Sequence, residues 1–231
     1  MPSRPVALVT GASRGIGRAI ALDLARDHDL VVTARTAADL EALAGEISAL
    51  GARCDVVPLD VRDPQAVQRT LGDRRVDVLV NNAGVATLKP FLEMSREEWR
   101  AMVDVNVNAL YDVTRAVLPG MTERGRGHVV VIGSIAGRNT FAGGACYTGT
   151  KHFVMGFSES LMLEVRDRGV KVSVVMPGSV STDLFPSGTD TSWMLHPEEV
   201  AASVGHLVRT PPEVLVHRLE IRPLSPKRKR E

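Results

Sequence analysis

Tyr147 and Lys151 stand four residues apart in Cys146-Tyr147-Thr148-Gly149-Thr150-Lys151, on a segment whose pattern predicts the start of an amphipathic helix. That spacing places both side chains on one helix face, so an ammonium can sit beside a phenol. A phenol alone titrates at about pH 10 and exchanges protons poorly at neutrality. A neighbouring cation favours the phenolate and moves it toward the working range. The chemistry on offer is proton transfer to or from an oxygen. Tyrosine and lysine at this spacing are also common on ordinary helix surfaces, so the rest of the chain has to decide.

A second pattern lies near the start of the chain. Val9-Thr10-Gly11-Ala12-Ser13-Arg14-Gly15-Ile16-Gly17 joins a predicted strand to a predicted helix, with glycines in the order GxxxGxG. Gly11, Gly15 and Gly17 allow a tight turn and close backbone approach, and a helix N-terminus there offers unpaired N–H groups to a pyrophosphate. Ser13, Arg14 and Ile16 fill the same turn. The second predicted strand ends in Val32-Thr33-Ala34-Arg35-Thr36, where an NAD-specific protein would place an acidic residue on the adenosine ribose. Arg35 stands there instead, and Arg14 can approach from the glycine turn. Two guanidinium groups suit a 2′-phosphate, so NADP(H) is expected over NAD(H). The alternative is that Arg35 is an exposed loop cation.

These residues need a scaffold, and the chain alternates short β-branched runs with longer helical segments. Strands are predicted at Val6 to Val9, Leu30 to Thr33, Cys54 to Val57, Val76 to Val80, His128 to Ile132, Val170 to Val175 and His217 to Ile221. Helices are predicted at Gly15 to Arg26, Ala37 to Leu50, Pro64 to Leu71, Glu98 to Arg124 and Tyr147 to Arg168, with another started by Pro197-Glu198-Glu199. This βαβα alternation implies an α/β fold, a mostly parallel sheet covered by helices on both faces. Ligands in such sheets bind at the carboxyl ends of the strands. No repeat, linker or low-complexity stretch divides the chain, so one domain over residues 1–225 is expected, followed by the basic tail 226–231.

The glycine turn together with Tyr147 and Lys151 resembles the short-chain dehydrogenase/reductase family, and further signatures follow in that family's order over nearly the whole chain. Asp60-Val61 comes after the third strand, Asn81-Asn82-Ala83-Gly84 after the fourth, and Asn106 in the helix beyond. Ser134 lies in Gly133-Ser134-Ile135-Ala136-Gly137, and Pro177-Gly178 precedes Val180 and Thr182. The resemblance implies a doubly wound Rossmann-type sheet of about seven strands in the order 3-2-1-4-5-6-7. It implies that Asp60 and Val61 hold the adenine, that Asn82, Ala83 and Gly84 line the cofactor groove, and that Pro177, Gly178, Val180 and Thr182 contact the nicotinamide end. The implied catalytic group is Asn106, Ser134, Tyr147 and Lys151. Ser134 would bond the substrate carbonyl and Tyr147 would protonate its oxygen as hydride arrives from the nicotinamide. Lys151 would lower the Tyr147 pKa and grip the nicotinamide ribose, while Asn106 would hold a water that reprotonates Lys151. Taken singly, Ser134 could be a turn hydroxyl and Asn106 an amide bonded to backbone.

Composition narrows the partners. The 231 residues carry 44% apolar and 24% charged side chains and a net charge of +1, ordinary for a protein with a substantial core and without the field that draws nucleic acid or membrane surfaces. Cys54 and Cys146 are far apart and suggest neither a disulfide framework nor a zinc site; no metal is expected. Met1-Pro2-Ser3-Arg4-Pro5 runs straight into an apolar strand with no signal-peptide core, and a cytoplasmic location is expected. The run Lys227-Arg228-Lys229-Arg230 is assigned no function.

The substrate side is harder to read. Residues 179–196, rich in Ser, Thr, Gly and Pro, suggest a loop that covers a small substrate. Phe141, Met155, Leu184, Phe185, Trp193 and Met194 are candidate apolar walls, and Arg138 a candidate carboxylate ligand. The ending Val216-His217-Arg218-Leu219-Glu220-Ile221-Arg222-Pro223-Leu224 departs from that of 3-oxoacyl-carrier-protein reductases in the family. It looks more like NADP-dependent members acting on 3-hydroxy acids or small carbonyl compounds. The expected activity is therefore NADP(H)-dependent interconversion of a carbonyl and an alcohol. A 3-oxoacyl-thioester reductase and a catalytically inactive dinucleotide sensor are the alternatives. A homodimer or homotetramer is the expected assembly; the ending puts the usual tetramer contact in doubt, and a dimer through the two long helices is the safer expectation.

Overall fold

The computed structural model describes residues 4–182 and 188–225. Seven parallel strands form one sheet: β1 (Val6–Thr10), β2 (Asp29–Ala34), β3 (Cys54–Pro58), β4 (Val78–Asn81), β5 (Gly127–Ile132), β6 (Val170–Pro177) and β7 (Arg218–Ile221). Their spatial order is β3-β2-β1-β4-β5-β6-β7, as the resemblance implied. The helices between them are α1 (Gly15–Leu24), α2 (Ala37–Ala49), α3 (Pro64–Leu71), α4 (Arg96–Val103), α5 (Ala109–Glu123), α6 (Ala145–Val165) and α7 (Pro197–Val208).

Alternation along the strands builds two cores, one on each face of the sheet. Ala7, Val9, Val32 and Val80 point to the face covered by Ile20 and Leu24 of α1, Leu40 and Leu43 of α2 and Val204 of α7. Leu8, Val31, Leu79 and Val129 point to the opposite face, against Val67 of α3, Val113 and Val117 of α5 and Leu161 of α6. Because both faces are covered, the central strands β4 and β5 are buried along their whole length, which is why they read as continuous apolar runs. The strand order reverses at β1, which pairs with β2 on one side and β4 on the other. The crevice beyond the carboxyl ends of β1 and β4 is therefore the natural ligand position.

Local signals set most helix boundaries. Asp63 caps α3, accepting from the N–H groups of Gln65 (3.0 Å) and Ala66 (2.9 Å), with Pro64 as its first residue. Ser95 and Glu98 cap α4 reciprocally. The helix expected from Glu98 to Arg124 is instead divided: between α4 and α5 the residues Asp104–Asn108 form a π-helical turn. One extra residue is accommodated there, and it turns the Asn106 side chain inward, where it is buried. The helix expected to reach Arg168 ends at Val165, followed by a 3-10 turn and by Gly169 at a φ of 74°. β6 runs two residues beyond its expected end, to Pro177. Among the described residues no helix is long and apolar enough to cross a membrane.

Candidate active site

The glycine turn follows β1 and enters α1. Gly11 and Gly15 adopt φ values of 64° and 53°, which disfavour residues with a side chain. A Cβ at Gly17 would lie 2.3 Å from the Gly11 carbonyl oxygen, so the helix can approach its own turn only without one. The turn is pinned from β4: Asn82 Nδ2 donates to the carbonyls of Thr10 (2.9 Å) and Gly11 (3.1 Å). Thr10 Oγ1 donates to Val80 O and accepts from the N–H groups of Asn82 and Ala83. The N-cap residue of α1, Arg14, makes no side-chain cap bond, and no acidic residue occupies the first turn. Its N–H groups and the positive end of its dipole are thus directed to an anion, which fits the pyrophosphate of a dinucleotide.

Where the adenosine end was expected, Arg35 is exposed immediately after β2. The Leu59 N–H donates to the Ala34 carbonyl at 2.9 Å, so Arg35 and Asp60 leave adjacent strands at the same end of the sheet, close enough for the Arg35 charge to act on the Asp60 carboxyl. Asp60, expected to hold an adenine ring, has its carboxylate engaged by Arg62, whose Nη2 donates to Oδ2 at 2.6 Å. Arg62 holds the Asp60 carboxyl below its ordinary range against the opposing effect of burial, and the charge of Arg35 adds to this. Val61 is buried in the core on the α3 and α5 face of the sheet. A Cβ at Gly84 would stand 3.5 Å from Asn106 Oδ1, so Gly84 borders the π-helical turn.

The four proposed catalytic residues converge beyond β5. Ser134 opens a short 3-10 turn, Ile135–Gly137, and its Oγ accepts from the Ala136 N–H at 3.1 Å. Its hydroxyl is also hydrogen-bonded to that of Tyr147. Lys151 is buried; its Nζ donates to the Ile132 carbonyl at 3.0 Å and lies 5.9 Å from the Tyr147 ring centroid. Asn106 Nδ2 donates to Val85 O (2.9 Å) and to Thr150 Oγ1 (3.1 Å), and its Oδ1 accepts from the Val85 N–H (2.9 Å). Thr150 Oγ1 in turn donates to the Tyr147 carbonyl at 2.8 Å. Both amide hydrogens of Asn106 are therefore engaged, and a relay water at this residue would meet an acceptor oxygen.

The electrostatics differ from expectation in one respect. Burial raises the Tyr147 phenol above its ordinary value, and the bond from Ser134 acts in the opposite direction. The lowering expected from Lys151 is not among the effects that set Tyr147 in this geometry, and the Lys151 ammonium donates to the Ile132 carbonyl. Burial brings Lys151 itself down to about 8. The site thus holds a phenol hydrogen-bonded to a serine hydroxyl, beside an amine that releases its proton near neutrality, an arrangement suited to passing one proton to an oxygen.

Pro177 closes β6, and the Gly178 N–H donates to Ile221 O at 2.7 Å; a Cβ on Gly178 would press Pro223 at 3.1 Å. Val180 is buried and bridges to Leu195, with Ser181 N donating to Leu195 O at 2.8 Å. Thr182 reaches the glycine turn, its Cγ2 lying 3.5 Å from where a Gly15 Cβ would be. Leu184 and Phe185 lie outside the described residues. Of the other suggested walls, Met155 packs against the α6 core, Met194 is buried, Phe141 is exposed, and the Trp193 indole N–H donates to Asp190 O at 3.0 Å. Arg138, suggested as a carboxylate ligand, is paired with Glu220 at 3.4 Å. Thr10, Arg62, Thr150 and the Ile132 carbonyl were not singled out from sequence. Thr10 ends the strand before the glycine turn and Arg62 follows Asp60-Val61, which are usable signals; a backbone carbonyl leaves none.

Residues 5–192 match the family model described as short chain dehydrogenase. The chain is 37% identical to the NADP-dependent 3-hydroxy acid dehydrogenase YdfG of Salmonella typhi, over 95% of each protein. Its structure superposes on a serine dehydrogenase from Escherichia coli with a TM-score of 0.86 and 35% identity, covering 96% of this chain and 100% of that one. A metagenomic short-chain oxidoreductase solved in complex with NADP gives the same TM-score and identity, covering 97% of this chain and 99% of the other.

Proposed function

The chain belongs to the short-chain dehydrogenase/reductase family, and from that premise we propose that it is an NADP(H)-dependent oxidoreductase interconverting a carbonyl and an alcohol. The observation that carries this is the convergence of Ser134, Tyr147 and Lys151 beyond β5, in a sheet whose first strand leads into a glycine turn with no side-chain bond at its N-cap, Arg14. NADP(H), when bound, supplies or accepts the hydride. Gly11, Ser13, Arg14, Gly15, Ile16 and Gly17 hold its pyrophosphate end, Arg35 the 2′-phosphate, and Asp60 and Val61 the adenine side. Asn82, Ala83 and Gly84 form the groove, with Pro177, Gly178, Val180 and Thr182 at its far end. Ser134 orients the carbonyl oxygen and Tyr147 delivers the proton to it. Lys151 resupplies the proton, and Asn106 fixes Thr150 and the water leading to Lys151.

A 3-hydroxy acid, or the corresponding 3-oxo acid in reverse, is the proposed substrate class, supported by the name of the Salmonella relative. The test is a panel of 3-oxo acids, simple ketones and 3-oxoacyl thioesters with NADPH and with NADH, followed at the nicotinamide absorbance. Turnover of thioesters alone would replace this reading with the thioester reductase, and cofactor binding without any turnover would replace it with a sensor. Residues 1–225 are taken as one catalytic domain, supported by a single sheet from Val6 to Ile221. A homodimer or homotetramer through α5 and α6 is proposed from the exposed Tyr111, Phe153 and Leu163 on those helices, and light scattering measures it. The cytoplasm is the proposed compartment, in keeping with two unpaired thiols, Cys54 and Cys146; cell fractionation tests it.

A further inference from the structure

Three charges gather at the carboxyl ends of β2 and β3. Arg35 follows Ala34, Asp60 follows Leu59, the Leu59 N–H to Ala34 carbonyl bond holds the two strand ends together, and the Arg35 charge acts on the Asp60 carboxyl. Arg62 closes on Asp60 with a complete fork. Asp60 Oδ1 accepts from the Arg62 backbone N–H (3.0 Å) and Nε (3.0 Å), and Oδ2 accepts from Nε (3.1 Å) and Nη2 (2.6 Å). If NADP(H) is the cofactor, as proposed above, its 2′-phosphate belongs beside Arg35, and it then meets the negative charge of Asp60 as well. That carboxylate stays ionised, because Arg62 and Arg35 both favour its charged form.

We propose that Arg62 is a determinant of cofactor specificity: by pairing with Asp60 it offsets that carboxylate's repulsion, so that the pocket at Arg35 accepts a doubly charged phosphate ester. Arg14 and Arg35 attract the phosphate directly, whereas Arg62 acts through Asp60 and is a positioning residue. A merely structural part for Arg62, fastening the turn before α3, would affect NADPH and NADH alike, since the two differ only in the phosphate.

The test is a fluorescence titration of the full chain with NADPH and NADH, at low and high ionic strength, in the wild type, Arg62→Ala, Arg62→Lys and the double variant Asp60→Asn/Arg62→Ala. The readout is the ratio of the two affinities. Arg62→Ala should lower the NADPH preference about fivefold at low salt, the size expected for a phosphate and a carboxylate interacting across solvent. The loss should shrink as salt rises. Adding Asp60→Asn should restore the preference to within about twofold of wild type, as coupling through one charge requires. Arg62→Lys, which keeps the charge, should retain most of it. An unchanged ratio in both Arg62 variants, or a loss in Arg62→Ala that Asp60→Asn does not restore, would overturn the proposal. A wild type that binds NADH as tightly as NADPH would instead overturn the cofactor assignment on which it rests.

Discussion

Lys151 Nζ donates to the main-chain carbonyl of Ile132 across 3.0 Å, and the lysine is buried. Ile132 ends β5 two residues before Ser134, so this bond ties the middle of the site to the strand that presents the serine. An ammonium in such a place pays for desolvation, and the amine is brought down to about 8.

The sign of that shift fixes a pH dependence. The folded-state value lies below the ordinary 10.5, so the penalty on the charged form is present in full below pH 8. Between about pH 8 and 10.5 the unfolded chain binds the additional proton, and the Lys151 contribution to stability rises with pH. Lys151→Met should therefore raise the melting temperature at pH 7, by about 1 kcal/mol or more of stability, while turnover is lost. Differential scanning calorimetry paired with a turnover assay measures both, and a less stable variant would contradict the argument.

Tyr147→Phe keeps the ring and removes the hydroxyl bonded to Ser134. Turnover should fall by about a thousandfold or more, while NADPH affinity by fluorescence stays within about twofold. A variant that retains activity would remove Tyr147 from the proton path.

Arg35→Asp places an acid at the end of β2, next to Asp60. Preference should shift toward NADH by about tenfold or more, because a carboxylate accepts from ribose hydroxyls and repels a phosphate. Affinity for each cofactor reads this out, and an undiminished NADPH preference would locate the phosphate elsewhere.

His128 is buried on β5. Its Nε2 bonds Ser173 Oγ at 2.9 Å; since that hydroxyl donates to Val216 O at 2.7 Å, Nε2 carries the proton. Among the described residues Nδ1 faces no partner, so a second proton would be a buried donor without an acceptor. Burial, with the nearby Lys171 charge, lowers this imidazole to about 3. The unfolded chain takes up the proton as pH falls below 6.5, so the folded state should lose about 1 kcal/mol per pH unit from there toward 3. His128→Val should flatten the melting temperature between pH 6.5 and 5, above the range where carboxylates titrate; an unchanged slope would assign the acid sensitivity to other groups.

The strand order and the two cores follow from patterns the sequence displays openly: β-branched runs of five or six residues, each followed by a helical segment, leave a covered parallel sheet as the consistent outcome. The π-helical turn at Asp104–Asn108 was not legible, because Val103, Val105 and Val107 continue an apolar rhythm through it and one additional residue leaves almost no periodic trace. The pairing of Asp60 with Arg62 was hidden for another reason. Two residues apart on a turn, they face each other only through the backbone geometry there. The Lys151 contact with Ile132 involves a carbonyl, which every residue possesses. Side chains announced the site, and main-chain groups determined how it is held.

The widened turn between α4 and α5 separates construction from chemistry. A chain shortened by one residue within 104–108 would carry an unbroken helix, with Met102 and Val113 still facing their cores, and would lose the inward amide of Asn106. The inward placement of Asn106 thus rests on one residue that the helical scaffold itself does not need.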